Sequence, residues 1–139
     1  MARALIPLKV ASGWLAIEAA SVREILGERP VVLIPGGSAL LPGVVAWRGR
    51  AVAMLDLGGG GLEVRGTLRG RTLIVEASGS MFAIAVEAVR EVAEVESSAV
   101  RPAHVTRHAH ATTEVELRGE PVPILDLASL VRGALSSGQ

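Results

Sequence analysis

Hydrophobic and polar residues alternate along several short segments of the chain, and this period of two is typical of half-buried β-strands. The segment LIPLKV is followed by Ala-Ser-Gly and then by WLAI, and TLIVEASGSMFAI repeats this layout farther along the chain. We predict a hairpin in each, because Gly13 and Gly79 supply the backbone freedom that a tight turn needs. Two more hairpins are predicted at Arg-Gly pairs, where Gly49 and Gly119 follow apolar strands.

The chain carries a twofold internal repeat. The phrase WRGRAVAMLDL (47–57) returns as LRGEPVPILDL (117–127) at an offset of 70 residues. WLAIEAASVREI (14–25) returns as MFAIAVEAVREV (81–92) at an offset of 67, and Ala-Ser-Gly returns at an offset of 66. Three landmarks in one order indicate two equivalent units. Within a single domain, 1–139, we place one subdomain at about 12–66 and the other at about 67–130, with the terminal segments able to cross between them.

Each half is predicted to be a small β-barrel in an all-β fold. A half of about 65 residues holds short strands broken at glycine and proline, and barrel closure would remove their exposed edges. Half of all residues are hydrophobic, but only 2% are aromatic. A half alone would bury only about 60% of its surface, so we predict one shared apolar core. Only LDLASLVRGAL, near the end of the chain, predicts a helix.

Two aspartates occupy equivalent places in the repeat. Asp56 and Asp126 each follow an apolar strand, and Asp126 also precedes the predicted helix. A paired-carboxylate site is one interpretation, but capping of a turn or helix explains both residues. We therefore assign them a structural role, as we do for the turn glycines.

The two halves differ on the outward faces of equivalent strands. In the second half, Glu114 and Glu116 share a face that is predicted to be wet. The equivalent residues of the first half, Val44 and Ala46, are apolar. This asymmetry predicts a cover over the first-half face, either the other half or another protein. The predicted inward positions are Val45, Trp47, Val115 and Leu117.

Charge and cysteine content narrow the range of functions. Fourteen basic and fourteen acidic residues give a net charge of zero, which argues against a nucleic-acid partner. The chain has no cysteine, hence no disulfide, thiol nucleophile or thiolate metal site. The apolar stretch at the N-terminus is too short to span a membrane, so direct membrane insertion is not expected. These features agree with a cytoplasmic protein.

A histidine cluster offers an alternative function. His104, His108 and His110 lie close together in sequence, with Glu114 nearby, and histidines one residue apart can share a ligand face on a strand. The alternative is therefore a small ligand- or metal-binding β-barrel. Against it, the segment RPAHVTRHAHATT is typical of an irregular loop and has no second ligand cluster. Our main interpretation includes no metal or cofactor.

Landmarks in a fixed order carry a family resemblance across nearly the whole chain. In the first half they are Ala16-Ile17, Val22-Arg23-Glu24-Ile25, Ile34-Pro35, Leu41-Pro42-Gly43-Val44-Val45, Arg48-Gly49 and Leu55-Asp56-Leu57. In the second half they are Thr72-Leu73-Ile74-Val75, Val89-Arg90-Glu91-Val92, Arg101-Pro102 and Ile124-Leu125-Asp126-Leu127. The ordered set resembles the CheW family, the adaptor proteins of bacterial chemosensory arrays.

The resemblance implies a fold and a function. The family fold is two five-stranded, SH3-like β-barrels around a shared apolar core. The implied function is a non-enzymatic adaptor that couples a CheA-type histidine kinase to chemoreceptors, in chemotaxis or in a related pathway of motility or development. The resemblance places Val22, Glu24, Ile25 and Arg48 at the groove that receives the tip of a receptor's helical hairpin.

The resemblance also implies a kinase-binding surface. The regulatory domain of the kinase has the same fold, so the two proteins can pair barrel to barrel, and Val44 and Ala46 are the candidate contacts. Ala46-Trp47 departs from the Asn-Leu that the family commonly has, and Ala53 stands where a proline is usual. Both departures lie beside Arg48 and leave the identity of the receptor open.

Overall fold

The computed structural model describes residues 1–57, 70–104 and 108–137, which form thirteen β-strands and one α-helix. Short strands separated by tight turns dominate, as the period-two alternation predicts. The first six strands are β1 (Ala2–Val10), β2 (Gly13–Glu18), β3 (Val22–Leu26), β4 (Val32–Leu33), β5 (Gly43–Trp47) and β6 (Arg50–Leu55). The others are β7 (Arg71–Ala77), β8 (Ser80–Val86), β9 (Ala88–Val89), β10 (Ala93–Glu96), β11 (Arg101–Pro102), β12 (Thr113–Leu117) and β13 (Glu120–Ile124), followed by α1 (Leu127–Ser137).

The strands form two sheets of matching order. The β1 sheet runs β10-β1-β2-β13-β12-β11, with β9 also paired to β1, and the β7 sheet runs β3-β7-β8-β6-β5-β4. Each sheet has one parallel pair at its centre, β2 with β13 and β6 with β8. The other pairs are antiparallel. Strand by strand, one sheet is the repeat counterpart of the other.

The two repeats exchange their first hairpins. The hairpin β1–β2 belongs to the sheet of the second repeat, and its counterpart β7–β8 belongs to the sheet of the first. The division at residues 12–66 and 67–130 therefore follows the sequence repeat and not the two sheets. The β7 sheet is continuous in sequence from β3 to β8, whereas the β1 sheet combines the two ends of the described chain.

The prediction of five-stranded closed barrels is wrong in detail. In the described residues, each sheet is an open path of six strands, and its end strands do not pair with each other. The strands β4 and β11 at the open ends have only two residues each, and Pro102 in β11 has no backbone N–H to donate. Too little backbone is available there to complete a closed ladder.

A large apolar core joins the two sheets, as predicted. It buries residues of β1 and β2 together with residues of β7 and β8, and the α1 residues Leu127 and Val131 cover one part of it. Each sheet also curls around a smaller cluster of its own. The β1-sheet cluster contains Leu5, Ala16, Val115, Val122 and Ile124, and the β7-sheet cluster contains Val45, Val52, Met54, Ile74 and Ala83.

Three hairpins close with left-handed turn residues. The turns Arg48-Gly49, Ser78-Gly79 and Arg118-Gly119 have positive φ at both positions, which matches the twist of the flanking strands. Gly13 also has a positive φ, at 120°. Asp126 caps α1, since its Oδ1 accepts a 3.0 Å hydrogen bond from the Ser129 backbone N–H. Asp56 is half-buried, and its backbone N–H donates to the Leu40 carbonyl at 2.8 Å.

The prediction that Glu114 faces water is wrong. Glu114 is only 4% exposed, and its Oε2 accepts a 3.0 Å hydrogen bond from Nε of Arg101 on the neighbouring strand β11. A buried carboxylate is tolerated when a cation and a hydrogen bond compensate for its lost hydration. Glu116, two residues later, is exposed as expected.

Candidate partner-binding site

The β5–β6 hairpin brings a tryptophan and two arginines to one end of the β7 sheet. Trp47 is the last residue of β5, Arg48 is the first turn residue, and Arg50 opens β6 opposite Trp47. Trp47 is half-buried and packs against the β7-sheet cluster, and this packing holds its ring in place beside the two arginines. Its ring centroid lies 5.4 Å from the guanidinium carbon of Arg48 and 5.8 Å from that of Arg50. Both distances fall in the range of cation–π attraction.

Glu24 on β3 is held by this hairpin. Its Oε1 accepts hydrogen bonds from Nε1 of Trp47 at 2.9 Å, and from Nε and Nη2 of Arg48 at 3.2 and 3.1 Å. The strands β3 and β5 do not pair, because they lie toward opposite ends of the sheet path. Glu24 therefore joins the two ends of the curled sheet through side chains, where the backbone ladder is open.

The contacts of Glu24 favour its ionised form. The hydrogen bond from Trp47 is the main cause that holds the pKa of Glu24 below its ordinary value, followed by the hydrogen bond from Arg48. The positive charges of Arg48 and Arg29 lower this pKa further, and partial burial opposes them. The side chain of Arg48 is 70% exposed, so the cluster is open to a partner.

Comparison with known proteins identifies the family of this chain and a solved structure with a similar fold. A family model for the CheW-like domain matches residues 5–134, which is most of the chain. The chain belongs to the CheW-like domain family. A similar solved structure is that of the scaffolding protein TtCheW from Thermoanaerobacter tengcongensis. The two share 20% sequence identity with a TM-score of 0.76, and the match covers 94% of this chain and 92% of that chain. This likeness shows a common fold. A search of curated protein sequences gave no match.

The structure brings together only part of the receptor-binding set predicted for this CheW-like chain. Glu24 and Arg48 are in contact. Val22 is half-buried and packs against the shared core. Ile25 is exposed and follows Glu24 directly on β3, so it points to the opposite face of the strand. The sequence prediction left out Trp47 and Arg50, although the departure from the family at Trp47 was the available signal.

The two candidate kinase contacts differ in exposure. Val44 is half-buried and lies between Val32 on β4 and Ala53 on β6. Ala46 is exposed and lies opposite Ala51, which is also exposed. On the edge strand β4, Val32 is 65% exposed and lies opposite Val44, so it continues this apolar surface. Its neighbour Leu33 is 50% exposed and points to the other face of the strand. Exposed apolar side chains on an edge strand are typical of a surface that another protein covers.

The histidines of the alternative interpretation have separate neighbours. Nε2 of His108 lies 3.4 Å from Oγ of Ser12, and Nδ1 of His110 lies 2.8 Å from Oγ of Ser129 on α1. His104 is exposed. Within residues 1–57, 70–104 and 108–137, no three metal-ligating side chains come together. None of the helices in the described part is long and apolar enough to cross a membrane.

Proposed function

We propose that this CheW-like chain is a non-enzymatic adaptor that couples a CheA-type histidine kinase to chemoreceptors. It acts in the cytoplasm and is held at receptor arrays on the inner membrane through its partners. The protein requires no cofactor, because its task is to bind two proteins at once.

One observation supports this function best: Arg48 is engaged with Glu24, whereas its repeat counterpart Arg118 forms no ion pair in the described part of the chain. Both arginines occupy the same position of the same type of turn, with φ values of 48° and 52°. A purely structural turn residue would have the same contacts in both halves. The difference favours a binding role for the first-half turn.

The receptor partner is the tip of a cytoplasmic helical hairpin. A docked helix needs an apolar surface to cover its own apolar face, and a few charged residues on its partner to set its register. Arg48 and Glu24 supply charges at the end of the β7 sheet, and Trp47 supplies aromatic surface between them. Ile25 adds an exposed apolar side chain on the other face of β3.

The kinase partner is the regulatory domain of a CheA-type kinase. It docks on the outward face of β5 at Ala46 and on the adjoining edge strand β4, where Val32 and Leu33 are exposed. This surface and the Arg48 cluster lie on the same hairpin but on different faces. Simultaneous occupation, which an adaptor needs, is therefore sterically reasonable.

Reconstitution from three purified components tests the function. The components are this chain, the CheA-type kinase, and receptor in membrane vesicles, all from one organism. The wild-type chain should recruit the kinase to the vesicles and make its autophosphorylation respond to receptor ligand. Arg48→Glu should no longer bind the receptor vesicles but should still bind the isolated kinase. Ala46→Glu should bind the receptor vesicles but not the isolated kinase, and neither variant should recruit the kinase to the vesicles.

The control is Arg118→Glu, which changes the same turn position in the second repeat. It should support recruitment as the wild type does. If the wild-type chain fails to link kinase and receptor, the adaptor function is wrong. Equal losses in Arg48→Glu and Arg118→Glu would instead remove the receptor site from the β5–β6 hairpin.

A further inference from the structure

The two repeats present hairpin ends of the same shape. The turn Arg48-Gly49 has φ values of 48° and 76°, and Arg118-Gly119 has values of 52° and 78°. Each turn is closed by a cross-strand pair, Trp47 with Arg50 in the first repeat and Leu117 with Glu120 in the second. Any difference in binding between the two ends must therefore come from side chains.

The two ends differ in charge at the residue that follows the turn. At the first end, Arg48 binds the Glu24 carboxylate, Arg29 is near enough to lower its pKa, and Arg50 lies over the Trp47 ring. At the second end, Arg118 shares a small cleft with Arg90 and Glu91, and Glu120 occupies the position of Arg50. The first end thus has an excess of positive charge, whereas the positive and negative charges of the second end balance.

Within the part of the chain that the structure describes, Arg50 is a cation of the first end without a carboxylate partner. Glu24 is already bound by Trp47 and Arg48 through Oε1. Within the described residues, Arg50 forms no ion pair, and its guanidinium lies 5.8 Å from the Trp47 ring centroid. The ring limits the positions that the guanidinium can adopt, which lowers the entropy lost when it binds an anion.

Building on the proposed receptor partner, we propose that Arg50, positioned by Trp47, selects an acidic receptor tip. A carboxylate on the tip helix binds Arg50, while the Glu24–Arg48 pair sets the register beside it. The equivalent second end would repel the same helix through Glu120. The charge of this one position therefore directs the tip to the first repeat, because opposite charges attract the right partner and juxtaposed like charges disfavour the wrong one.

A charge exchange between the two ends tests this inference. Arg50→Glu gives the first repeat the residue type that the second repeat has at Glu120, and Glu120→Arg is the matched change in the second repeat. The probe is the soluble cytoplasmic hairpin of a chemoreceptor from the same organism. It is used in its natural form and with the aspartates and glutamates of its tip changed to asparagine and glutamine. Dissociation constants are measured at low and high salt.

The wild-type chain should bind the natural hairpin about tenfold more tightly than the neutralised one at low salt, with the preference reduced at high salt. Arg50→Glu should lose this preference and about tenfold in affinity, Arg50→Lys should keep the preference, and Glu120→Arg should bind as the wild type does. Trp47→Leu introduces the residue type that the second repeat has at Leu117. Its affinity for the natural hairpin should lie between that of the wild type and that of Arg50→Glu.

The outcomes separate the two proposals. If the wild-type chain binds both hairpins equally, or if Arg50→Glu behaves as Glu120→Arg does, selection by Arg50 is wrong and the adaptor function stands. If the wild-type chain binds neither hairpin, the receptor partner is wrong and this inference falls with it. Circular dichroism of each variant confirms that losses of binding do not reflect unfolding.

Discussion

Glu24 and Trp47 are 23 residues apart in sequence and lie on strands that do not pair, yet Nε1 of Trp47 donates a 2.9 Å hydrogen bond to Oε1 of Glu24. This contact links the two ends of the β7 sheet and presents the carboxylate to Arg48. One indole therefore supports the curvature of the sheet and orients the charged group at the candidate site.

Removal of the indole N–H should raise the pKa of Glu24. Trp47→Phe keeps an aromatic ring in the β7-sheet cluster but removes the hydrogen bond that contributes most to the lowered pKa. Arg48→Gln should raise the pKa less, because its hydrogen bond is the second cause. Titration of the Glu24 carboxyl carbon by NMR measures both shifts. An unchanged pKa in Trp47→Phe would show that the hydrogen bond is absent in solution.

The sign of the shift fixes how this contact depends on pH. A carboxyl group whose pKa is lower in the folded than in the unfolded protein stabilises the fold fully above the unfolded pKa. The contribution is lost as the pH falls through the folded pKa. At neutral pH, Glu24→Gln should therefore have a lower urea midpoint than the wild type. Below the folded pKa of Glu24, the difference between the two urea midpoints should be smaller.

The two Arg-Gly turns should respond differently to a residue that tolerates positive φ. Asparagine suits the first position of such turns, whereas a non-glycine residue of another type stores strain there. Arg118→Asn should stabilise the protein by about 1 kcal/mol. Arg48→Asn should gain less, because it also loses the contacts with Glu24. Urea unfolding gives both values, and equal gains would mean that the Arg48–Glu24 pair contributes nothing to stability.

The repeat and the turns could be predicted from sequence because they depend on local signals. Alternation locates the strands, and glycine after Arg48, Ser78 and Arg118 marks turns that require positive φ. Alternation also assigned Val45 and Trp47 correctly to the inner face. These features need no knowledge of which strands pair over long distances.

The sequence allowed the terminal segments to cross between the subdomains, but which hairpin joins which sheet could not be predicted, because β1–β2 and β7–β8 are equivalent in sequence. Either hairpin offers a similar apolar pattern to β6 or β13, and only the whole structure shows which parallel pair forms. The burial of Glu114 was missed for a related reason. Its partner Arg101 lies on a two-residue strand whose pairing no local pattern reveals. Likewise, Trp47 was recognised as an inward residue but not as a donor to Glu24.

The exchange predicts that the second repeat does not fold alone. A fragment of residues 67–139 lacks β1 and β2, which occupy the middle of its sheet between β10 and β13. It should show no cooperative thermal transition. A fragment of residues 22–86 contains all six strands of the β7 sheet and is the matched comparison, with more residual sheet expected by circular dichroism. A cooperatively folded 67–139 fragment would show that the hairpins are not exchanged in solution.

The kinase surface is best tested at Ala46, because Val44 is partly covered by β4. A carboxylate at position 44 would enter the half-buried space between Val32 and Ala53 and lower stability by about 1–3 kcal/mol, so Val44→Glu would mix unfolding with loss of binding. Ala46 is exposed, and Ala46→Glu should change stability by less than about 0.5 kcal/mol. It should nevertheless weaken capture of the kinase regulatory domain, because it places a hydrated charge in an apolar contact.

Glu116 provides the matched control for Ala46, since it is the exposed residue at the equivalent place in the second repeat. Glu116→Ala makes that face resemble the first and should leave kinase capture unchanged. Pull-down of the purified regulatory domain, with melting curves for each variant, separates binding from folding. If Ala46→Glu melts as the wild type does and still captures the kinase fully, the outward face of β5 is not the kinase surface. The exposed apolar residues of β4 would then require another partner.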